Sequence, residues 1–291
     1  MCALAVDAPG TPDSLAAPGG TGAGDAPTRY VLSTDLDGTI IFDAAVSPAD
    51  LQALRRWRQA GNLLVVNTGR SVAALGSALA GTGVEFDYAV LYTGAVTTDA
   101  AARPLSVNPM PQGVVEAVME ELGDEPGLRV FTTTLERDYI LHDGLPGVPS
   151  LLTLFSPATL ADLAGRTVIG MPFQARRESV LQRVQDLARQ RLGQQVWAVR
   201  NQDFVDYVPA GHTKGTGLAR LVSDLTAPGG PCEGERLETW SIGDSWNDIP
   251  MHRTADHCAC LPWSPPEVKA VCDQEVPSLS ALVDEVLGAR A

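Results

Sequence analysis

From Tyr30 onward the chain alternates short, unbroken apolar runs with segments whose apolar residues recur every three or four positions. YVLSTDLDG reads as a strand running into a turn. SPADLQALRRWRQAG predicts a helix: Ser47 is a fitting N-cap, Pro48 takes the first helical position and Gly61 ends it. Leu51, Leu54 and Trp57 fall on one stripe of that helix. NLLVVNTGR predicts a second strand, SVAALGSALAG a second helix and DYAVLYTGA a third strand. Near the far end, ETWSIGDS and HCACLP read as two more strands, separated by NDIPMHRTA as a short helix. Strands this apolar throughout are parallel strands covered on both faces. Strand and helix in alternation predict an α/β protein built on a doubly wound, mostly parallel, Rossmann-like sheet.

The middle of the chain has another rhythm. LRVFTTTLERDYILHD, RTVIGMPFQ and QQVWAVR read as strands, and RRESVLQRVQDLARQRLG as an amphipathic helix. A stretch of this size between two parts of one sheet predicts an inserted α+β cap domain over 97–203, with the core formed by 29–96 and 204–291. Residues 1–28 are rich in Ala, Gly, Pro and Asp without periodicity and read as a flexible tail. GTGAG at 20–24 follows no strand and opens no helix, so it is not read as a nucleotide loop.

Composition narrows the classes. The 291 residues are 45% hydrophobic and 19% charged, which is globular composition with length for a sizeable core. The formal net charge of −14 disfavours a nucleic-acid partner, whereas a divalent cation and a few local donors can still make a cleft attractive to a small phosphorylated substrate. No apolar run is long enough to span a bilayer, and MCALAVDAPG lacks the basic start of a secretory leader, so no membrane partner and a cytoplasmic location are expected. The five cysteines (Cys2, Cys232, Cys258, Cys260 and Cys272) form no CxxC pair. HCAC at 257–260 is read as a buried strand with reduced thiols rather than a metal site.

In open α/β sheets ligands bind at the carboxyl ends of the strands. Four such ends or adjoining loops carry chemically capable side chains: Asp35 and Asp37; Thr68, Gly69 and Arg70; Lys214 in GHTKGTG; and Asp244, Asn247 and Asp248 in GDSWND. Each alone has a plain structural explanation as a turn, a cap or a solvated charge. Their occurrence together, in this order, is harder to assign to structure. In GHTKGTG the lysine precedes its glycine, so a P-loop kinase is not supported.

DLDGT, TGR, TKG and GDSWND together resemble the four ordered motifs of the haloacid dehalogenase-like phosphatase superfamily. The long insertion resembles that of its Cof-type, sugar-phosphatase branch with the second (C2) type of cap. TGA at 93–95 is similar to that branch's NGA segment, with Thr93 in place of Asn. The resemblance spans about residues 30–285. It implies that Asp35 attacks phosphorus to form an aspartyl-phosphate and that Asp37 protonates the leaving oxygen and then activates water. It implies Mg²⁺ held by Asp35, the backbone carbonyl of Asp37 and Asp244, with Asp248 as a ligand or orienting that set. Thr68, Gly69 and Lys214 would bind the phosphoryl group, and Asn247 would touch phosphate or substrate. Arg70 is open between a salt bridge on the following helix and a substrate contact. Asp43 matches no motif and is placed on the flap after the turn.

The function expected is Mg²⁺-dependent hydrolysis of a small phosphorylated metabolite, a sugar phosphate first. The alternatives are a phosphomutase using the same two aspartates and a non-catalytic phosphometabolite-binding protein, in monomeric or homodimeric form. Asp37 separates phosphoryl transfer from dehalogenation. Arg103, Arg129, Arg137, His142, Arg176 and Arg177 are available in the cap for substrate, though most charges there are expected on its solvated surface.

Overall fold

The computed structural model describes residues 27–145, 155–201 and 203–289. Its base is an eight-stranded sheet with the spatial order Gln274–Glu275, His257–Cys260, Arg236–Gly243, Thr28–Thr34, Leu63–Asn67, Tyr88–Leu91, Val96–Asp99 and Pro104–Val107. The first six run parallel and the last two fold back antiparallel. The strand order reverses at Thr28–Thr34, the point at which crossovers leave to opposite sides and a crevice opens beyond the strand ends.

Alternation explains why these strands read as unbroken apolar runs. Leu32, Leu64 and Val66 pack on one face with Ala53, Leu54 and Trp57 of helix Pro48–Gln59 and with helix Leu279–Gly288. Val31, Leu63, Val65 and Val90 pack on the other face with Leu221 and Leu225 of helix Lys214–Thr226. The features read from the sequence of the first helix are present: the Ser47 hydroxyl accepts from Asp50 N, and Pro48 opens the helix. Trp57 is fully buried and donates its indole N–H to Leu63 O at 2.8 Å. Truncating it to Ala would cost about 3–5 kcal/mol.

A second sheet has the order Ser156–Pro157, Asp138–Asp143, Leu128–Thr134, Val168–Ala175, Phe204–Pro209 and Val196–Asn201, antiparallel except at the short first strand. Helices Val114–Leu122 and Glu178–Leu187 back one face, where Val130, Phe173, Val205 and Tyr207 form its own core. The period of two sends Thr133, Pro172, Phe204 and Asp206 to the opposite face, over the ends of the parallel strands.

Several expected boundaries shift. Val96–Asp99 and Pro104–Val107 lie on the base sheet although they fall inside the expected cap span, because Leu91 pairs with Val96 and carries the ladder directly onward. Phe204–Pro209, expected in the core, pairs with Val168–Ala175 and Val196–Asn201 of the second sheet. The chain therefore crosses between sheets after Val107 and returns after Pro209. LRVFTTTLERDYILHD is a hairpin, not one strand: the Thr134 hydroxyl accepts from Glu136 N and Arg137 N and turns the chain. The first strand begins at Thr28, paired with Arg236, inside the span read as tail; GTGAG and the rest of 1–26 lie outside the described residues. Among the described residues no helix is long and apolar enough to cross a membrane.

Candidate active site

The first strand delivers Asp35 to the strand-end crevice while still tied to its neighbour: Asp35 N donates to Ile242 O at 3.0 Å. The chain then turns around buried Leu36, whose carbonyl accepts from Ile40 N and Ile41 N at 2.9 and 2.8 Å. That turn leaves Asp35 inside and Asp37 half-exposed. Gly38 makes it possible, with φ of 78° and with Asp244 Oδ2 only 2.7 Å from where a Cβ would stand. Asp43 and Ala44, both at positive φ, form the tip of the hairpin Ile41–Phe42/Ala45–Val46, so Asp43 lies on the flap as expected.

Lys214 is the first residue of a helix rather than part of a loop. Thr213 caps that helix by accepting from Thr216 N at 3.1 Å. Its start comes so close to the turn at Gly94 that a Cβ there would meet Thr213 O at 1.9 Å; Gly94, at φ 101°, is required. Asn67 Nδ2 donates to Lys214 O at 3.0 Å and fixes the backbone from below. The ammonium, fully buried, donates to Asp35 Oδ1 at 2.7 Å and to Asp248 Oδ1 at 2.6 Å. The other oxygen of Asp248 accepts from Asp244 N and Ser245 N at 3.0 and 2.9 Å, and Thr39 Oγ1 donates to Asp244 Oδ1 at 3.1 Å.

The result is three buried carboxylates, Asp35, Asp244 and Asp248, with ligand oxygens within 4.8 Å of one another and one ammonium among them. Burial raises the Asp35 carboxyl well above its usual range, against the pull of Lys214. Burial, with the charge of Asp248 adding to it, pushes Asp244 up to about 6. Burial works against the Lys214 charge as well, but Asp248 and Asp35 outweigh it and hold the ammonium above its ordinary value. This excess of negative charge, presented entirely by hard oxygen donors, fits a small divalent cation.

The second strand end adds Thr68, tied by its N–H to Val90 O at 2.9 Å, and Gly69. Arg70 grips both oxygens of Asp37, at 2.7 and 2.6 Å, so its salt-bridge partner is the acidic motif, and it touches the following helix only through Ala74 O at 3.5 Å. Asn247 is buried at the site, and its Oδ1 has no hydrogen-bond partner. Asp35, Asp37, Thr68, Gly69, Arg70 and Asn247 form one side of a cavity of about 190 Å³.

Thr133, Phe155, Pro172, Phe204 and Asp206 close the cavity from the second sheet, with Asp203 nearby. Burial raises the Asp206 carboxyl to about 7, with Lys214 pulling the other way. None of the six basic residues available in the cap, most of them expected on its solvated surface, lines this cavity. Arg103 pairs with Asp99 at the base-sheet edge, and buried Arg129 bonds Asp143, Gln174 and Leu145 O. His142 meets Glu125 O, Arg177 donates to Pro126 O, and Arg137 and Arg176 are exposed.

The two sheets are tied beside the site by Asp138, which accepts from Ser71, the N-cap of helix Val72–Leu79. Burial raises Asp138 to about 6, and its second oxygen is buried without a partner. Tyr92 OH donates to Thr134 O at 2.7 Å in a second tie. Asn67, Asp138 and Asp206 were not foreseen from the sequence. Only Asp206 carried a signal: an acidic residue alternating with apolar ones in DFVDYVP, directly before the lysine motif.

Among solved structures, a haloacid dehalogenase-like hydrolase from B. subtilis superposes with a TM-score of 0.73 at 18% identity, covering 88% of this chain and 98% of its own. A haloalkanoate-superfamily phosphatase from Bacteroides thetaiotaomicron gives 0.69 at 20% identity, covering 92% and 97%. A subclass IIB sugar phosphatase gives 0.71 at 18% identity, covering 89% and 99%. No curated protein sequence gives a significant match. Residues 32–281 match the sequence profile of the haloacid dehalogenase-like hydrolases, and the chain belongs to that family.

Proposed function

We propose that the protein is a Mg²⁺-dependent phosphatase that hydrolyses a small, otherwise neutral phosphorylated metabolite, a sugar monophosphate first, through an aspartyl-phosphate. The observation that carries this reading is the grip of one buried lysine on Asp35 and Asp248, beside Asp244 and below the exposed Asp37. Lys214 occupies Asp35 Oδ1, which leaves Oδ2 to attack phosphorus. The P–O bond to the substrate breaks, and Asp37 gives its proton to the departing oxygen. In the second half Asp37 takes a proton from water, the water oxygen bonds phosphorus, and Asp35 leaves as a carboxylate with release of inorganic phosphate.

Asp37 faces Arg70 in the structure, so this reading requires it to turn from the guanidinium toward the leaving oxygen. Thr68 Oγ1 and Gly69 N–H supply donors to the phosphoryl oxygens, and Asn247 a further polar contact. Asp35, Asp244 and the Asp37 carbonyl would hold Mg²⁺, with Asp248 aligned by Lys214 and by the two N–H groups it accepts. When bound, Mg²⁺ supplies neutralisation of the charge that carboxylates and phosphate bring together.

The second sheet favours the substrate class. Its lining residues offer two carboxylates (Asp203 and Asp206), a hydroxyl and two phenyl rings, and no lysine or arginine. A second phosphate or a carboxylate on the substrate would meet Asp206 without a counter-charge, whereas sugar hydroxyls can donate to it and sugar C–H faces can lie on Phe155 and Phe204. The test is phosphate release from neutral sugar monophosphates, sugar bisphosphates and phosphorylated acids, with and without Mg²⁺. Neutral monophosphates should be preferred; release no faster than that of Asp35→Asn would end the phosphatase reading.

A further inference from the structure

Behind the GDSWND motif the chain assembles a set of soft donors that the chemistry above does not use. Cys258 and Cys260 lie two apart on strand His257–Cys260 and are both buried. Cys272 precedes the neighbouring edge strand, is partly exposed, and its sulfur lies beside that of Cys258. Helix Ile249–Thr254 lays His252 over the same region, and a ring nitrogen of His252 and the sulfurs of Cys258 and Cys272 lie within 4.8 Å of one another.

The histidine is set up as a ligand. Its ring is buried, with Nδ1 3.0 Å from Ser241 Oγ, and Ser241 pairs in register with Cys258. Ser241 Oγ also lies 3.5 Å from His257 O, an outlet for its own proton in the tautomer in which Oγ accepts from Nδ1–H. That arrangement leaves the lone pair on Nε2, and Nε2 is buried with no hydrogen-bond partner. A buried imidazole whose other nitrogen is oriented by a polar partner is the usual second-layer support of a metal-binding histidine. Burial also disfavours the imidazolium and keeps the ring in its ligand form.

We propose that His252 Nε2, Cys258 and Cys272 form a site for one thiophilic divalent ion, Zn²⁺ foremost, with the fourth position left to water. Binding would release the protons of the coordinating thiols, freeing Cys258 Sγ from the Asp273 carboxylate 3.5 Å away, and two thiolates would cancel the charge of the ion. The sulfur and nitrogen donors separate this site from the all-oxygen cluster of Asp35, Asp244 and Asp248, which takes hard ions. Because His252 follows Asp248 by one helical turn, the ion would fasten the segment carrying Asp244 and Asp248 to the sheet edge.

The test is Co²⁺ titration of the full chain, freed of metal and kept in a non-thiol reductant, with excess Mg²⁺ present to occupy carboxylates. One equivalent should produce thiolate-to-Co²⁺ charge transfer in the near ultraviolet with intense tetrahedral visible bands, both removed by Zn²⁺. The signal should be lost in Cys272→Ser, whose partly exposed position tolerates the change, and kept in Cys232→Ser and Asp244→Asn. A titration without charge transfer, a band that survives Cys272→Ser, or recovery of Cys258 and Cys272 as a disulfide under these conditions would each overturn the proposal.

Discussion

The two walls of the cleft are built on different principles. The lower wall is a charge lattice: Lys214, Asp35, Asp248, Asp244 and Thr39 hold one another through direct hydrogen bonds, most of them buried. The upper wall is a sheet face presenting Phe204, Pro172, Thr133 and Asp206, and it adds no lysine or arginine of its own to the lining. A site that must stabilise the same phosphoryl charge in every turnover is best made rigid and preorganised. A wall that only selects the group carrying the phosphate needs shape and a few polar atoms. The lower wall should therefore govern kcat and the upper wall the choice of substrate.

The largest break is expected at the proposed nucleophile. Asp35→Asn should lower phosphate release by at least about 10³-fold with every substrate, measured as initial rates at saturating Mg²⁺. Lys214→Met should cost about 10²–10³-fold in kcat. It should also destabilise the fold by about 3–5 kcal/mol in urea denaturation, because Asp35 and Asp248 are left buried without their cation. Asp206→Asn should act on the other wall: about a tenfold change in kcat/KM across a sugar-phosphate panel, with little change for an aryl phosphate that presents no hydroxyls. Equal losses on both kinds of substrate would erase the division between the walls.

A subtler prediction concerns the tie between them. The Asp138 carboxyl is raised to about 6 in the folded protein from an ordinary value of 3.8. Its contribution is thus present in full below about pH 4 and is lost as pH rises through about 6, by at most about 3 kcal/mol. Asp138→Asn should flatten that part of the stability–pH curve, read by urea denaturation at pH 5 and 8. The smallest effect is expected at Thr93, a β-branched residue at φ 54°. Thr93→Asn should raise stability by about 1 kcal/mol, since Asn adopts left-handed backbone more readily.

The same contrast explains what the sequence disclosed. Asp35, Thr68, Lys214 and Asp244 sit where apolar strands end, and the spacing of residues along one strand or turn is local information. Asp37 could be placed beside Asp35, but its bond to Arg70 joins two strand ends and has no local trace. The upper wall depends on which face of a distant strand turns inward, and one residue of register decides that. The charged residues most visible there, Arg129 and His142, are spent on Asp143, Gln174 and backbone carbonyls. The antiparallel extension at Val96–Val107 was hidden because an edge hairpin and the start of a new domain have the same texture in a sequence.

One consequence of the sheet order concerns the birth of the molecule. Thr28–Thr34 lies against Arg236–Gly243, with Thr34 opposite Ile242. A ribosome therefore exposes the first strand long before its central neighbour exists, while the second-sheet strands from Leu128–Thr134 to Phe204–Pro209, with their own core, are made before it. The inserted sheet can fold during synthesis; the base sheet closes only once Arg236–Gly243 has been made, and that long-range pairing sets a slow step. Asp244 and Asp248 directly follow that strand, so the nascent chain holds Asp35 early and cannot assemble the carboxylate cluster until more than 200 further residues have been made.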